Sequence, residues 1–148
     1  MKECNTREDP VRPELDNTFR TSYGRKIFGV KYKSEIHAIM CFAYTNEIPK
    51  SVEELDIMSQ DAHLQSTLRG QNVGKIAIAY TVWSKKKGGG KLIVKEVFNK
   101  IKKSNHLNRL VTLSPLTDMA YKFHIKNGAK LISVNETTQN FEYKVIKN

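Results

Sequence analysis

The sequence predicts one mixed α/β (α+β) domain in which strands and helices alternate along most of the chain. Three observations support this prediction. The segment "RKIFGVKYK" and the apolar run "IHAIMCFAYT" have the pattern of two strands joined at "KSE". The strand-like "GKIAIAYTVW" is followed, after three glycines, by helical spacing. The last third then offers a strand, a helix and two strands, so the predicted order is β-β-(α)-β-α-β-α-β-β.

Length and composition indicate how many domains the chain forms and where the protein is located. The 148 residues, 39% of them hydrophobic and 27% charged, suit one domain with a real core. We expect residues 1–24, which are polar and contain two prolines, to form an N-terminal arm, and residues 25–148 to form the domain. With no apolar run of membrane-spanning length and no apolar segment near the start, the sequence predicts a cytoplasmic protein without membrane contact.

The sequence offers neither a disulfide framework nor a metal site. Cys41 lies in an apolar run and is expected to be a small buried residue, while Cys4 lies near a terminus. The four histidines are scattered and lack a neighbouring ligand at metal-binding spacing. No metal cofactor is therefore expected.

The net charge of +10 favours a polyanionic partner. The positive charge is concentrated around the glycines, opposed there only by Glu96, in Lys85, Lys86, Lys87, Lys91, Lys95, Lys100, Lys102 and Lys103. This clustering favours either nucleic acid or a phosphate-rich cofactor.

Local signals define the three predicted helices. Ser51, followed by two glutamates, is typical of a helix start, so either a short helix or an ordered excursion is expected after Pro49. Ile93, Val97 and Ile101 recur at helical spacing and predict an amphipathic helix that ends near Lys103.

The last predicted helix lies in "PLTDMAYKFHIKNG". Pro115 is expected just inside its start and Gly128 at its C-terminal cap. The preceding "RLVTLS" predicts a short buried strand, and the final two strands are expected around the turn "NETTQN".

A strand that enters a helix through glycines is suited to bind an anion. Backbone N–H groups of the first helical turn point at the ligand, and glycine allows its close approach. Gly88, Gly89, Gly90 and Lys91 could therefore hold a phosphate or pyrophosphate. Two familiar phosphate loops do not fit, because Lys85 and Leu92 occupy the Walker A glycine and hydroxyl positions and Ile93 replaces the third glycine of the dinucleotide motif.

A third motif fits better. The segment "KKKGGG" resembles the [Gln/Arg]-x-x-Gly-x-[Gly/Ala] motif of the GCN5-related N-acetyltransferases (GNAT), with lysine in place of Gln or Arg. The helix after the next strand resembles the family's Asn-x-x-Ala-x-x-Phe-Tyr-x-x-x-Gly-Phe pattern through Thr117, Ala120, Phe123, His124, Gly128 and Ala129. The resemblance covers about residues 25 to 148.

This resemblance implies a GNAT-like mixed, mostly antiparallel sheet with flanking helices and a shortened N-terminal part. The segment from "VTLSP" to "NGA" is also similar to the GNAT-like domain of malonyl-CoA decarboxylases, and the whole pattern to small GNAT-like proteins of tailed marine phages. For a phage protein the location would be the host cytoplasm.

The resemblance implies acetyl-CoA (coenzyme A) as cofactor and an unidentified amine as acceptor. It implies that Val82, Trp83 and Ser84 offer backbone to pantetheine. The pyrophosphate would lie on a turn formed by Lys85, Lys87, Gly88, Gly89, Gly90 and Lys91. Thr117 would take the place of the asparagine that binds the pantetheine arm, and Phe123 would pack beside it.

The catalytic groups are less defined. His124 occupies the position of the family's tyrosine acid, and it is either that acid or an ordinary helix residue. Tyr121 is a substitute donor on another face. Ser114 either faces the thioester or caps the next helix. Glu35, Glu54 and Asp61 are candidates for the base, although surface positions are expected for all three.

Two departures from the family leave catalysis open. Only Trp83 and Ser84 lie between strand and turn, and residues 1–24 leave little room for the family's first strand and two helices. The acceptor cleft would be open, or completed by a second copy in a homodimer, or acetyl transfer would be lost. The alternatives are a basic nucleic-acid-binding or non-catalytic GNAT-like module and an acyl-CoA decarboxylase-like activity.

Overall fold

The computed structural model describes residues 15, 17–32, 35–70, 74–84 and 88–145 of the chain. Within these residues four helices and seven strands follow one another along the sequence. They are α1 (Asn17–Thr21), β1 (Lys26–Tyr32), β2 (Glu35–Thr45), α2 (Val52–Arg69), β3 (Ile76–Ser84), α3 (Gly89–Lys103), β4 (Arg109–Thr112), β5 (Ser114–Pro115), α4 (Asp118–Lys126), β6 (Lys130–Val134) and β7 (Thr138–Tyr143).

The seven described strands form one mixed, mostly antiparallel sheet, as predicted. The order is β1-β2-β3-β4-β7-β5, and β6 pairs with the other side of β7. Strands β3 and β4 are the parallel pair among them, joined by the crossover helix α3. The predicted hairpin is confirmed, because β1 and β2 pair antiparallel.

Alternation along the strands builds two separate cores. On one face, Met40 and Phe42 of β2 pack with Ile93 and Val97 of α3 and with Phe141 of β7. The expected helical stripe of α3 is thus buried against this face.

The second core lies on the opposite face of the sheet. Ile39 and Cys41 of β2 pack there with Leu55 of α2, and Cys41 is fully buried, with its sulfur accepting a hydrogen bond from the Arg20 guanidinium. Cys41 is therefore the small core residue that the sequence predicts.

Helix α2 covers this second face. Ser51 caps it as predicted, since the Ser51 hydroxyl accepts a hydrogen bond from the Glu54 N–H. The helix has 18 residues, which makes it longer than the short helix expected.

Residues 17–24, assigned to the predicted arm, also contribute to the second core. Arg20 is fully buried, and Phe19 packs edge-on against Tyr80 at a ring distance of 5.8 Å. Within the described part of the chain, no helix is both long and apolar enough to cross a membrane.

The start of α4 differs from the prediction. Pro115 is not inside the helix but in β5, where it pairs with Thr138 of β7. Helix α4 begins at Asp118, because Thr117 is extended and its hydroxyl accepts from the Ala120 N–H. At the other end Gly128 has the predicted role, with a φ of +95° and an N–H that donates to the Ile125 carbonyl.

The last turn is also shorter than predicted. Strand β7 begins at Thr138, so three residues of "NETTQN" lie in the strand, and all three are buried. Their side chains bind backbone carbonyls of other segments, which stabilises polar residues in a buried strand.

Candidate functional site

The two central parallel strands separate at their carboxyl ends. Pairing between β3 and β4 stops at Ala79 and Thr112, after which the Leu113 N–H still donates to the Ala79 carbonyl at 2.8 Å. The chain then turns into β5, which pairs with β7, while β3 continues along β2 to Ser84. The result is a wedge between the end of β3 and β5.

A β-bulge lies where the wedge opens. Cys41 is paired with Thr81 and Phe42 with Ala79, so Tyr80 is the extra residue on β3. Beyond the bulge Val82 packs on the α3 face of the sheet and Trp83 on the opposite face. Tyr80 itself is buried in the core, as expected for packing rather than reaction.

The glycine turn connects the end of β3 to α3. Gly88 is exposed, has a φ of +84° and occupies the N-cap, where no side chain caps the helix. Gly89 and Gly90 are buried in the first turn of α3. Lys85 and Lys87, predicted to bind phosphate, lie outside the described residues.

Close packing requires the two buried glycines. A Cβ at Gly89 would lie 2.6 Å from the Ser84 hydroxyl and 3.1 Å from the His37 carbonyl. A Cβ at Gly90 would lie 2.7 Å from the Phe123 ring. Four predicted site residues, Ser84, Gly89, Gly90 and Phe123, are thereby brought together at the start of α3.

This helix start suits an anion. Helix α3 has 15 residues, no acidic residue in its first turn and a glycine N-cap, so its first N–H groups remain directed toward the turn. Lys91 is exposed beside them. The arrangement can bind a phosphate through backbone N–H groups.

Gly89 gives a test of the packing. Glycine to alanine inside a helix normally stabilises a protein by up to ~1 kcal/mol. For Gly89→Ala we expect the opposite, a loss of about 1–3 kcal/mol in the free energy of unfolding, because the new methyl group has no room. The measurement is urea denaturation followed by circular dichroism.

The double variant Ser84→Ala/Gly89→Ala is the control. Removing the Ser84 hydroxyl relieves the shortest contact, so the loss should be smaller than the sum of the two single losses. Equal stability of Gly89→Ala and the unmodified protein would show that α3 does not approach β2 and β3 this closely.

Ser114 lies at the wedge and is buried. Its hydroxyl is 2.8 Å from that of Thr112, which also accepts a hydrogen bond from the Phe141 N–H. Ser114 does not cap α4, because Thr117 does. The Ser114 hydroxyl can therefore take part in polar chemistry at the wedge, held by its neighbour.

The sequence analysis did not identify the buried polar residues at the start of β7 as part of the site. Asn140 donates to the carbonyls of Pro49 and Thr112, and Thr138 donates to the carbonyl of Lys50. These bonds attach the connection between β2 and α2 to β7. The polar run "TQN" next to an apolar strand was the available signal, but it was assigned to the turn.

Thr117 and Glu54 have capping roles in the structure, and the other two candidates for the general base lie on the surface. The exposed Thr117 hydroxyl accepts the helix-cap hydrogen bond, and its predicted contact with the pantetheine arm stays a prediction. Glu54 accepts from the Lys50 N–H in the cap of α2, while Glu35 and Asp61 are exposed. No group of three or more metal-binding side chains occurs among the described residues.

His124 is 4% exposed and packs against β7. Its Nδ1 is 2.7 Å from the Tyr143 hydroxyl, and its ring lies 5.0 Å from that of Phe141. Burial lowers the pKa of His124 to about 4, so the imidazole is neutral near pH 7. A neutral imidazole is a weak proton donor; this geometry favours a structural role, and the acid role stays a prediction.

No family model and no curated protein matches the sequence. Similarity appears at the level of structure. The GNAT-like decarboxylase GphF in complex with isobutyryl-CoA superposes with a TM-score of 0.66 at 9% identity, over 87% of this chain and 83% of that one.

Two further solved structures are similar. The loading GNATL domain of CurA from Lyngbya majuscula gives a TM-score of 0.61 at 11% identity, covering 80% of this chain and 76% of the domain. The N-acetyltransferase PseH from Campylobacter jejuni in complex with acetyl coenzyme A gives a TM-score of 0.54 at 15% identity, covering 82% of this chain and 68% of that chain. The chain therefore has the GNAT-like fold that its two motifs predicted.

Proposed function

We propose that the protein binds an acyl-coenzyme A and transfers an acetyl group from acetyl-CoA to an amine. The observation that carries the proposal is the wedge between β3 and β5, which opens beside a glycine-capped helix start. A wedge in a sheet can take an extended chain as an added strand, and the helix start can take its phosphates.

Coenzyme A has both parts. In the proposal its pantetheine arm pairs with the backbone of Val82, Trp83 and Ser84, while Thr117 and Phe123 flank it. Its pyrophosphate lies on Gly88, Gly89, Gly90 and Lys91, and Lys85 and Lys87, which lie outside the described residues, are proposed as further contacts. GphF and PseH, which share the fold, were solved with acyl-CoA ligands, and this supports the choice.

Acyl transfer needs two proton movements. The amine nitrogen attacks the thioester carbonyl and loses a proton, and the C–S bond breaks as the thiolate gains one. Ser114 is the side chain proposed to act at the thioester, whereas His124 is proposed to act through the position of Tyr143 and α4. The Ser114 hydroxyl, next to Thr112, suits hydrogen bonding to the thiolate or oxyanion. The neutral His124 is better suited to hold Tyr143 and α4 in place than to donate the proton.

The test is titration with acetyl-CoA, read by the fluorescence of Trp83, the single tryptophan, which lies at the wedge. The variant pair is Gly88→Asp and Gly88→Asn. A Cβ at Gly88 meets no atom within 4 Å, and Asn and Asp both adopt positive φ more readily than most residues, so the two variants should fold with a similar small strain.

We expect Gly88→Asp to bind acetyl-CoA at least about tenfold more weakly, ~1.4 kcal/mol, because its carboxylate repels the pyrophosphate. Gly88→Asn should stay within about threefold of the unmodified protein. No binding by the unmodified protein, or equal losses in both variants, would refute the coenzyme site.

Decarboxylation of an acyl-CoA is the second candidate. The decarboxylase GphF has the highest of the TM-scores given above, which favours this alternative. In such a reaction the C–C bond to the carboxylate breaks, CO₂ leaves and the thioester enolate takes up a proton. Incubation with malonyl-CoA and mass spectrometry would detect acetyl-CoA, whereas an amine panel with acetyl-CoA would detect acyl transfer.

A basic nucleic-acid-binding role remains the other alternative. Within the described chain, the exposed lysines of α3 are opposed by one acidic residue of that helix, Glu96. Salt-dependent binding of an oligonucleotide, without binding of acetyl-CoA, would favour it. The cytoplasmic location, the phage relationship and a homodimer stay predictions.

A further inference from the structure

A second concave site lies at the opposite end of the sheet. It is a cleft of about 340 Å³ between the start of β1, the end of β2, helix α2 and Gly74, two residues before β3. This volume lies at the lower end of the range for small-molecule sites. The cleft therefore fits a molecule with one ring and few substituents.

Basic side chains line the cleft. Lys26, His63 and His106 contribute nitrogen side chains, and none of the described residues that line it is acidic. Ser104 holds His106, since their side chains lie 3.4 Å apart. Three nitrogen groups with no carboxylate between them favour an anionic ligand.

Aromatic rings form two of the walls. Tyr23 and Tyr44 line the cleft, and the Tyr23 ring stands edge-on to that of His63 at 6.1 Å. Burial raises the pKa of Tyr44 to about 12, so its phenol stays neutral and adds no negative charge. Aromatic walls favour a flat ring in the ligand.

The backbone at the rim is strained. Tyr23 has a φ of +53°, a conformation that is unfavourable for a tyrosine, and Gly24 follows with +74°. A Cβ at Gly24 would lie 3.2 Å from His63 Nδ1. Strained residues of this kind are concentrated at ligand sites.

The cleft is separate from the wedge. It is lined by Gly74, and Val82 lies eight residues later, about 26 Å along an extended chain at ~3.3 Å per residue. A ligand of the cleft and a coenzyme at the wedge would therefore not compete.

We propose that this cleft binds a small aromatic acid, a single ring that carries one carboxylate or phosphate. Lys26 and the two histidines bind the acidic group, and Tyr23 and Tyr44 pack against the ring. The proposal does not depend on acyl transfer, because it uses no residue of the wedge.

The test uses the full chain labelled with ¹⁵N and followed by two-dimensional NMR. The probes are 4-hydroxybenzoate and phenyl phosphate, with p-cresol as the ring alone and inorganic phosphate as the anion alone. The charge-reversal variant is Lys26→Glu. Its matched control is Lys122→Glu, which alters an exposed lysine of α4 away from the cleft.

We expect the two aromatic acids to shift resonances of the residues that line the cleft. The probe that binds more tightly shows whether the cleft prefers a carboxylate or a phosphate. Lys26→Glu should weaken that binding at least tenfold, and Lys122→Glu should leave it within twofold. Saturating acetyl-CoA should not displace either probe.

Three results would overturn the proposal. They are no shift at the cleft with millimolar probe, binding of p-cresol or phosphate as tight as that of the aromatic acids, and unchanged affinity in Lys26→Glu. Failure of acetyl-CoA to bind would count against the proposed acyltransferase activity, but it would not change the outcome of this test.

Discussion

Replacing Arg25 by alanine is expected to lower the free energy of unfolding by about 3–5 kcal/mol. Arg25 is 3% exposed and joins three segments of the second core. Its guanidinium donates to the Asp56 carboxylate and the Ser59 hydroxyl of α2 and to the Phe19 carbonyl of α1. It also lies 4.1 Å from the centre of the Phe19 ring.

The loss is large because each partner of Arg25 remains in place and loses at least one of its hydrogen bonds. The Ser59 hydroxyl and the Phe19 carbonyl lose hydrogen bonds in a site that water enters poorly. Phe19 packs on Tyr80 at the bulge, so the variant should also loosen the sheet near the wedge. Guanidinium denaturation, followed by circular dichroism, measures the change.

Asp56→Asn is the matched control for Arg25→Ala. Asp56 is 40% exposed in its side chain, and a hydrogen bond from Gln60, together with that from Arg25, lowers its pKa. Because it is partly solvated, we expect a loss of only about 1 kcal/mol. Arg25→Ala within 1 kcal/mol of the unmodified protein would contradict the central role of this guanidinium.

His124 should make the fold sensitive to mild acid. Burial holds its folded pKa at about 4, whereas an unfolded histidine titrates near 6.5. Between these values the unfolded chain binds a proton that the folded chain does not. The free energy of unfolding therefore has its full value above about pH 6.5. The titration of His124 lowers it by roughly 3 kcal/mol as the pH falls to 4.

Denaturation midpoints at several pH values would measure this loss. His124→Gln should remove most of the slope between pH 6.5 and 4, whereas Tyr143→Phe should keep it, since His124 remains buried in that variant. An unchanged slope in His124→Gln would assign the acid sensitivity to other groups. Glu142 and Asp56, whose pKa values are lowered by hydrogen bonds from Arg109 and Gln60 respectively, act at lower pH.

Local patterns predicted most of the fold because the signals lie within a few residues. The stripe of Ile93, Val97 and Ile101, the cap at Ser51 and the positive φ of Gly128 all depend on near neighbours in sequence. The prediction for Pro115 was wrong for the opposite reason. Pairing of Ser114–Pro115 with β7, more than twenty residues later, overrides the preference of proline for a first helical turn.

The features of the candidate site also divide into those that the local sequence predicts and those that depend on distant residues. The glycine turn was visible in the sequence, yet its buried glycines are required by the Ser84 hydroxyl and the Phe123 ring, contacts that no local pattern shows. The environment of His124 depends on Phe141 and Tyr143 from another strand. A sequence position can thus suggest a role for a side chain, but its pKa depends on burial by distant residues.

The sequence alone determined the order of the elements other than α1 and β5, the basic glycine turn and, through two spaced motifs, the GNAT-like fold. These features depend on backbone preferences and on periodic apolar residues, which act over one or two turns. The tertiary structure decided where β3 and β4 separate, which face α2 covers and that His124 is buried. These outcomes depend on which strands pair and which side chains lose water, and both are set by contacts between residues far apart in the chain.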